Sequence, residues 1–304
     1  MVWTTTTTLV ADVDDSVITE WDKGVLLGYT PELVCEQVAT IRVSMNAKTH
    51  QFTKYSNLTL ISSALTEDAD ATSVVPVDAA ITLTPLEYGN VLTHGKLSSY
   101  QTGGKVDVAA AALIGRNMGA SVDKLGLTAL EAFSTTVIFP HAITAATDLT
   151  ADDVLDLTFA NRLYNKLARL NVPGIGGQYV GIAHDDNLYD LRAAMVPVAQ
   201  YATPETVLKN EVGMAGGIRW LRSSNVTVSA DGGAGTVASY KVNVMGDNAL
   251  GLAISEAPHP TLTGPFDKLG RFVNLGWYGV FVWGVIDTAN MVQGGCASSV
   301  GANS

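Results

Sequence analysis

The stretch that decides the fold is Gly103–Phe133, GGKVDVAAAALIGRNMGASVDKLGLTALEAF, inside the longest proline-free part of the sequence. Its alanines favour a helix, although glycine costs about 1 kcal/mol per position relative to alanine. At about 1.5 Å per residue, the stretch predicts a helix about 45 Å long, which we call the spine helix. Its apolar residues recur at helical spacing: Val106, Ala109, Ala110, Leu113, Ala120, Leu127 and Leu130.

Small residues occupy several sides of the predicted spine helix. They are Ala111, Ala112, Gly115, Gly119 and Ala120. Small side chains let other backbone approach closely, so we expect the spine helix to be covered on more than one face.

The composition of the chain is unusually apolar and poor in charge. Of 304 residues, 47% are hydrophobic and only 15% are charged, whereas about 25% charged is typical of soluble domains. With a mean hydropathy of +0.22, a lone monomer has too few charges to cover its surface. Two interpretations follow, a membrane protein or a subunit that is covered by copies of itself.

No apolar run is long enough for a membrane helix. The most apolar stretch, Leu275–Ile286 (LGWYGVFVWGVI), is shorter than the roughly 18 residues a spanning helix needs, and it is rich in β-forming residues. Self-assembly is therefore the favoured interpretation, and no membrane partner is expected.

The start of the chain, its cysteines and its net charge argue against secretion, a metal or redox site, and tight phosphate binding. The opening, MVWTTTTTLVADVDD, lacks the basic and apolar segments of a signal peptide, so no secretion is expected. Cys35 and Cys296 fit no metal or redox spacing, which predicts free thiols in a reducing cytosol. The N-x-[ST] triplets at Asn57 and Asn225 are therefore discounted. A net charge of −11 argues against tight phosphate binding, so any nucleic acid is expected to be contained rather than gripped.

Before the spine helix, the sequence predicts two parts that lack a core of their own. The first is a polar leader with a helix from about Ser16 to Leu27 and a helix start capped by Thr30. The second, Ala47–Thr93, has two β-rich segments around the acidic stretch SSALTEDADATSV. An isolated two-stranded hairpin is marginal in water, so we expect both parts to need neighbours.

After the spine helix, the sequence predicts alternating helices and strands. A helix is predicted from Ala151 or Asp152 to Leu170, with acidic residues in its first turns. A buried strand, Tyr179–Ala183, and a helix beginning at Asp185 or Asp186 follow. The rest is predicted to be β-rich, with a glycine-rich loop, ADGGAGTVAS, before its last strands.

Two clusters invite a chemical interpretation, and a structural one is favoured for both. Gly213, Gly216 and Gly217 match no phosphate-loop motif, which favours a turn. The run His184-Asp185-Asp186 has the residue types of a metal or acid/base site, but the end of a strand and a helix cap account for it.

The remaining candidates also favour structural roles. The sequence contains no GxSxG motif, and His50, His94, His141 and His259 are scattered. The acidic residues Glu67, Asp68 and Asp70 have no EF-hand spacing and predict a solvated turn. An aromatic stripe suits a sugar or base platform but more often forms a core or interface; its members are Phe272, Trp277, Tyr278, Phe281 and Trp283. No catalytic, cofactor-binding or metal-binding residue is therefore predicted.

The order of the segments carries a resemblance to a known family. The phrase AAITLTPLEYGNVLTHGKL, the spine helix, GGQYVGIAHDDNLYDLRA, GGIRWLRSSNV and LGRFVNLGWYGVFVWGVID follow one another. In this order and texture the chain resembles the major capsid proteins of tailed double-stranded DNA bacteriophages, which have the Hong Kong 97 fold. The resemblance covers nearly the whole chain, and it implies an α+β fold.

The resemblance implies a division of the chain into five parts. They are an N-terminal arm at 1–45, an extended β-hairpin loop at 46–87, a peripheral domain at 88–147 with the spine helix at 103–133, an axial domain at 148–254, and return strands of the peripheral domain with a tail at 255–304.

The resemblance also implies a function and partners. The expected role is structural and non-enzymatic: hexamers and pentamers of an icosahedral shell that contains double-stranded DNA without reading its sequence. Because the sequence opens at the arm, a separate scaffolding protein is implied, together with a portal and a cement or decoration protein. The expected location is the virion, after assembly in the bacterial cytoplasm. Lys54 lies in the predicted loop, but a lone lysine predicts no covalent crosslink.

Two other functions remain open from the sequence. One is the shell of an encapsulin-like nanocompartment, which shares the fold and encloses enzymes. The other is a glycan-binding or hydrolytic α+β protein that uses the aromatic stripe.

Overall fold

The computed structural model describes residues 33–300, except for 46, 56–57, 59, 63, 65–66, 69, 71–72, 103–104, 133–136, 202–206, 231, 236 and 266. The helix predicted at Ser16–Leu27 and the helix start at Thr30 lie outside these residues. The helices are α1 (Lys96–Thr102), α2 (Lys105–Ala132), α3 (Leu157–Ala168), α4 (Asp185–Leu191) and α5 (Val198–Tyr201). The strands are β1 (Thr40–Val43), β2 (His50–Tyr55), β3 (Asp78–Leu83), β4 (Leu86–Gly95), β5 (Val137–Ile138), β6 (Tyr179–Ala183), β7 (Val196–Pro197), β8 (Glu211–Ala215), β9 (Ile218–Arg222), β10 (Val228–Ser229), β11 (Ser239–Met245), β12 (Leu250–Thr263), β13 (Phe272–Val285) and β14 (Met291–Cys296).

The predicted spine helix is present as α2, which has 28 residues. Its buried face is the predicted one only in part: Leu127 and Leu130 are buried, whereas Leu113 is 58% exposed. The prediction followed the alanines, whereas the larger Ile114, Met118 and Val122, each four residues apart, define the face that packs on the sheet. The side chain of Val106 is outside the described set.

The spine helix packs against a four-stranded sheet with the order β1-β12-β13-β4. Strand β1 runs parallel to β12, and the other pairs are antiparallel. The long strands β12 and β13 form the centre of this sheet. Their inward side chains, among them Leu252, Leu275 and Phe281, form one hydrophobic core with the helix.

A larger sheet forms the second part of the fold, with the order β5-β14-β11-β6-β9-β8-β7 and β10 beside β11. Strand β6, which the sequence predicts as buried, is buried along its whole length. Helices α3 and α4 bury Phe159, Leu163 and Leu188 against this sheet around Trp220, which forms a second core.

Helix α3 begins later than the sequence predicts. It starts at Leu157 rather than at Ala151 or Asp152, because Asp156 is the N-cap and accepts a hydrogen bond from the Phe159 amide at 2.7 Å. Asp153 is used differently, since its carboxylate accepts bonds from the backbone and hydroxyl of Thr150. These bonds hold the preceding residues in a turn.

The C-terminal stretch 255–304 contributes to both sheets. Strands β12 and β13 belong to the four-stranded sheet, whereas β14 pairs with β11 and β5 in the larger one. The chain therefore crosses between the two parts of the fold after Val285.

Candidate assembly surfaces

The strands β2 and β3 form a separate antiparallel pair, with His50 opposite Leu83. We call this pair, with the described residues between its strands, the ribbon. Beyond this pair the chain is apolar and exposed: Leu60 is 92% and Ile61 84% accessible. The exposed large apolar side chains of this segment are Tyr55, Leu58, Leu60, Ile61, Val74, Val75 and Val77. Such a concentration of exposed apolar area marks an interaction surface.

The base of the ribbon is fixed to the body of the same chain. Phe52 is 3% exposed and packs with Ala253 and Ile286. Lys54 Nζ lies 2.6 Å from Asp287 Oδ2. The ribbon therefore projects from an anchored base, and its apolar surface lies farther out.

A second exposed apolar region lies where β4, α1 and the spine helix meet. Leu97 and Tyr100 of α1 are exposed, as is Leu113 of the spine helix. Helix α1 packs on both β4 and the spine helix, so these side chains belong to one corner of the fold.

The spine helix carries a fully buried carboxylate, Asp123, which bonds to segments from elsewhere in the chain. Its Oδ1 accepts hydrogen bonds from the amides of Val34 and Cys35, each at 3.0 Å. Its Oδ2 accepts from Ser223 Oγ at 3.0 Å and from Asn225 Nδ2 at 3.2 Å. Asp123 thus joins the segment before β1 and the loop after β9 to the spine helix.

Two neighbours on the spine helix strengthen this joint. Lys124 Nζ donates to the carbonyl of Asn225 at 2.8 Å and to Thr227 Oγ1 at 3.1 Å. Glu131, also buried, accepts a bond from the Thr227 amide at 3.0 Å. The loop 223–227 is therefore held along two turns of the helix.

No sequence pattern singles out Asp123. Its partners are 88 to 102 residues away along the chain, so no local motif marks it. The available signal was a charged residue directly beside Val122, inside the apolar face of a predicted helix, where a carboxylate must find hydrogen-bond donors.

A buried charge pair lies between β8 and β9. The Arg219 guanidinium contacts both oxygens of Glu211, at 2.8 and 2.5 Å. Glu211 also accepts from the Tyr201 hydroxyl and from the Leu208 amide. Burial alone would raise the pKa of Glu211, but these donors outweigh burial and hold it below its ordinary value of 4.5.

The candidate chemical clusters have structural roles. His184 is the N-cap of α4 and accepts a hydrogen bond from the Asp186 amide at 3.3 Å, as the cap interpretation predicts. Gly216 and Gly217 have φ of 62° and 77° and form the turn between β8 and β9. No group of three or more His, Cys, Asp or Glu side chains is placed to hold a metal ion within the part of the chain that the structure describes.

The aromatic stripe is mainly core. Trp277, Phe281 and Trp283 are buried in the first core, whereas Phe272 and Tyr278 are partly exposed. Trp277 Nε1 donates to Asn117 Oδ1 of the spine helix at 2.9 Å. The prediction of a core role is confirmed for the three buried rings.

The acidic residues and the thiols also lie where the sequence predicts. Glu67, Asp68 and Asp70 are exposed. Cys35 and Cys296 are free and buried, and burial raises the pKa of both thiols. Cys35 lies in the first core and Cys296 in the second.

The histidines are separated in the structure. His50 is buried and lies 3.2 Å from Ser255 Oγ, and His141 Nδ1 lies 2.8 Å from Asp153 Oδ1. His259 is bonded to the Ala257 carbonyl. These three are not brought together.

Solved structures with the same architecture identify the fold. The capsid of Ralstonia phage GP4 aligns with a TM-score of 0.70 at 13% identity, over 86% of this chain and 87% of that one. The cyanophage Pam1 capsid aligns with a TM-score of 0.63 at 12% identity, over 90% and 92%. The chain has the phage capsid fold. A virus-like particle from Pyrococcus furiosus is also similar, with a TM-score of 0.54 at 13% identity, over 90% and 97%.

No protein-family model matches the chain, and no curated protein sequence does either. The α+β architecture that the resemblance implied is confirmed. Among the described helices, none is long and apolar enough to cross a membrane.

Proposed function

We propose that this chain is a structural, non-enzymatic subunit of an icosahedral virion shell that encloses double-stranded DNA. The observation that carries the proposal is the phage capsid fold over nearly the whole chain, at matched length. The projecting apolar ribbon supports it, because burial against another copy would remove that surface from water.

Contacts between different surfaces of identical copies suit a closed shell. The ribbon and the corner at α1 are different patches, so contact of one with the other is heterologous and closes into rings when the rotation permits. We propose that these rings are the hexamers and pentamers of the shell. The low charge of 15% is compatible with a surface that is largely covered.

In the proposed subunit, the domain division that the resemblance implies is retained as an assignment. The arm is 1–45, the extended loop 46–87, the peripheral domain 88–147 and the axial domain 148–254. Residues 255–304 supply the return strands of the peripheral domain and the tail. The ribbon lies in the second range and the spine helix in the third, which supports this division. Strand β14 lies in the sheet of the fourth range, so we extend the axial domain to include it.

The partners proposed for the shell follow from the same assignment. They are a separate scaffolding protein, a portal and a decoration protein, with assembly in the bacterial cytoplasm. The acidic chain, at −11, suits a container whose wall repels most of the DNA that it holds.

Electron microscopy and sedimentation of the purified chain test the proposal, with and without a scaffolding protein. We expect closed particles of uniform diameter. A chain that stays monomeric at every concentration, also with scaffold, contradicts the proposal.

A nanocompartment shell is the second candidate, and the likeness to the Pyrococcus furiosus virus-like particle favours keeping it. Particles that copurify with an enzyme and contain no DNA would support it over the virion. The glycan-binding alternative is not retained, because three of the five aromatic side chains on which it depends are buried.

A further inference from the structure

A groove with a basic rim lies beside the outer face of α3 and the strand β5. Its volume is about 690 Å³. The cations are Arg162, Lys166 and Arg169, and their spacing of four and three residues places them on one face of the helix. The adjacent stripe of the helix, with Ala160 and Leu163, is buried in the second core.

The groove differs in charge from the rest of the chain. The chain has a net charge of −11, yet none of the described residues that line this groove is a carboxylate. Neutral polar side chains of the same helix, Thr158, Asn161 and Asn165, also line the groove. Within the described residues, Lys166 and Arg169 are in no ion pair, although both are exposed.

One of the three cations is held in place by the fold. Arg162 Nη1 donates to the carbonyls of Phe139 at 2.9 Å and His141 at 2.6 Å. These two bonds involve one nitrogen of the guanidinium, and arginine has further N–H donors on Nε and Nη2. The guanidinium is thus fixed at the edge of the groove before any ligand arrives.

We propose that this groove contacts the phosphate backbone of the enclosed double-stranded DNA, without reading its sequence. The inference rests on the proposed function, because it names a contact inside that shell. Phosphate contacts are made by arginine and lysine together with threonine and asparagine side chains, which are the polar residues of this groove. Three cations along about 10 Å of helix suit a polymer with regularly spaced charge.

An acidic segment of another copy is the competing occupant. The acidic residues at the end of the ribbon, Glu67 and Asp68, are exposed and carry the right sign. However, the exposed apolar side chains on either side of this acidic stretch, such as Ile61 and Val74, need an apolar partner rather than a cationic rim. The groove therefore fits DNA better.

The test compares the full-length wild type with the double variant Lys166→Gln/Arg169→Gln. Arg162 is left in place because it also holds the carbonyls of 139 and 141. The control is Lys48→Gln/Lys268→Gln, which changes the net charge equally at exposed lysines outside the groove. Binding of unassembled subunits to a fluorescein-labelled DNA duplex of mixed sequence is followed by anisotropy over a series of salt concentrations, starting at low salt.

We expect the plot of log affinity against log salt to become shallower by about 1.8 in the groove variant, since each phosphate contact contributes about 0.9. The control should keep the wild-type slope. An unchanged slope in the groove variant, or no binding by the wild type at low salt, overturns the inference.

Sedimentation of the same proteins separates this inference from the proposed function. If the wild type forms shells and the slope is unchanged, the DNA contact fails while the shell function stands. If the groove variant loses assembly but keeps its DNA affinity, the groove is a contact between copies and the inference is wrong. If the wild type forms no particles, the proposed function itself fails.

Discussion

The buried carboxylate of Asp123 links segments that are far apart in the sequence, and no local pattern reveals this role. Asp123 accepts four hydrogen bonds, from two backbone amides and two side chains of distant segments. The N-cap roles of Asp156 and His184 are local by contrast, because donor and acceptor are two or three residues apart. Local roles of this kind can be predicted from sequence, although the acidic run 152–156 left the choice of cap open.

Replacement of Asp123 by alanine should strongly destabilise the subunit. It leaves four donors without their acceptor, and each unsatisfied buried donor costs about 1–3 kcal/mol. We expect the free energy of unfolding in urea to fall by about 3 kcal/mol or more. The control, Asp152→Ala, removes an exposed carboxylate and should change the free energy of unfolding by less than about 0.5 kcal/mol. Equal stability of the two variants would contradict the role of Asp123 as a joint.

The pair of Glu211 and Arg219 predicts a pH dependence. Because the folded-state pKa of Glu211 lies below 4.5, its contribution is complete above about pH 4.5 and is lost as pH falls through the folded-state pKa. The wild type should lose unfolding free energy over this acidic range.

In Glu211→Gln this part of the loss should be absent, and stability at neutral pH should be lower, because the buried Arg219 loses its charged partner. The measurement is urea denaturation at a series of pH values. Glu67→Gln, at an exposed position, serves as the control. A pH profile of Glu211→Gln parallel to that of the wild type would refute the assignment.

Among the elements, the spine helix was predicted by periodicity, together with part of its buried face. The pattern of apolar residues is local, so the helix was found, whereas the face that it buries depends on the volume of the side chains that meet it. Strand β6 was predicted correctly because it is buried on both sides and needs no choice of face. The placement of β14 in the larger sheet is a long-range pairing that composition does not encode.

The spine helix depends on glycine where it crosses the first core. A Cβ at Gly126 would lie 3.0 Å from Cys35 Cβ and 3.2 Å from Trp283 Cδ2. Gly126→Leu should therefore lower the free energy of unfolding by about 1–3 kcal/mol through overpacking, despite the better helix propensity of leucine. Ala112→Leu, at an exposed position of the same helix, should be nearly neutral. Thermal or urea unfolding of both variants decides this, and a stabilised Gly126→Leu would show that the core has room.

At the scale of the whole molecule, the ribbon is the feature that an isolated subunit does not explain. The sequence predicted that it lacks a core, and its base is nevertheless anchored by Phe52 and Lys54. The apolar side chains farther along the ribbon, such as Leu60 and Ile61, remain exposed. The sequence could not separate these two regions, because the anchor uses residues more than 200 positions away.

Leu60→Ser should impair assembly and leave the folded subunit intact. Burial of a leucine side chain contributes about 1.5–3 kcal/mol, so the protein concentration needed for particle formation should rise about tenfold or more. Light scattering measures that concentration. The free energy of unfolding of the subunit, from urea denaturation, should change by less than about 0.5 kcal/mol. The matched control is Leu269→Ser, also highly exposed but on the loop between β12 and β13. If both variants assemble like the wild type, the ribbon is not an assembly contact.

The two thiols provide a separate reporter for each half of the molecule. Cys35 lies in the core under the spine helix and Cys296 in the core of the larger sheet, and neither is accessible in the folded chain. Alkylation by a maleimide should therefore be slow until the surrounding half opens. Mass spectrometry of peptides alkylated in increasing urea would give the order in which the halves open, and fast labelling of both residues in buffer would contradict their burial. In a shell built from this subunit, every copy would contain two thiols whose reactivity reports separately on the opening of the first and the second core.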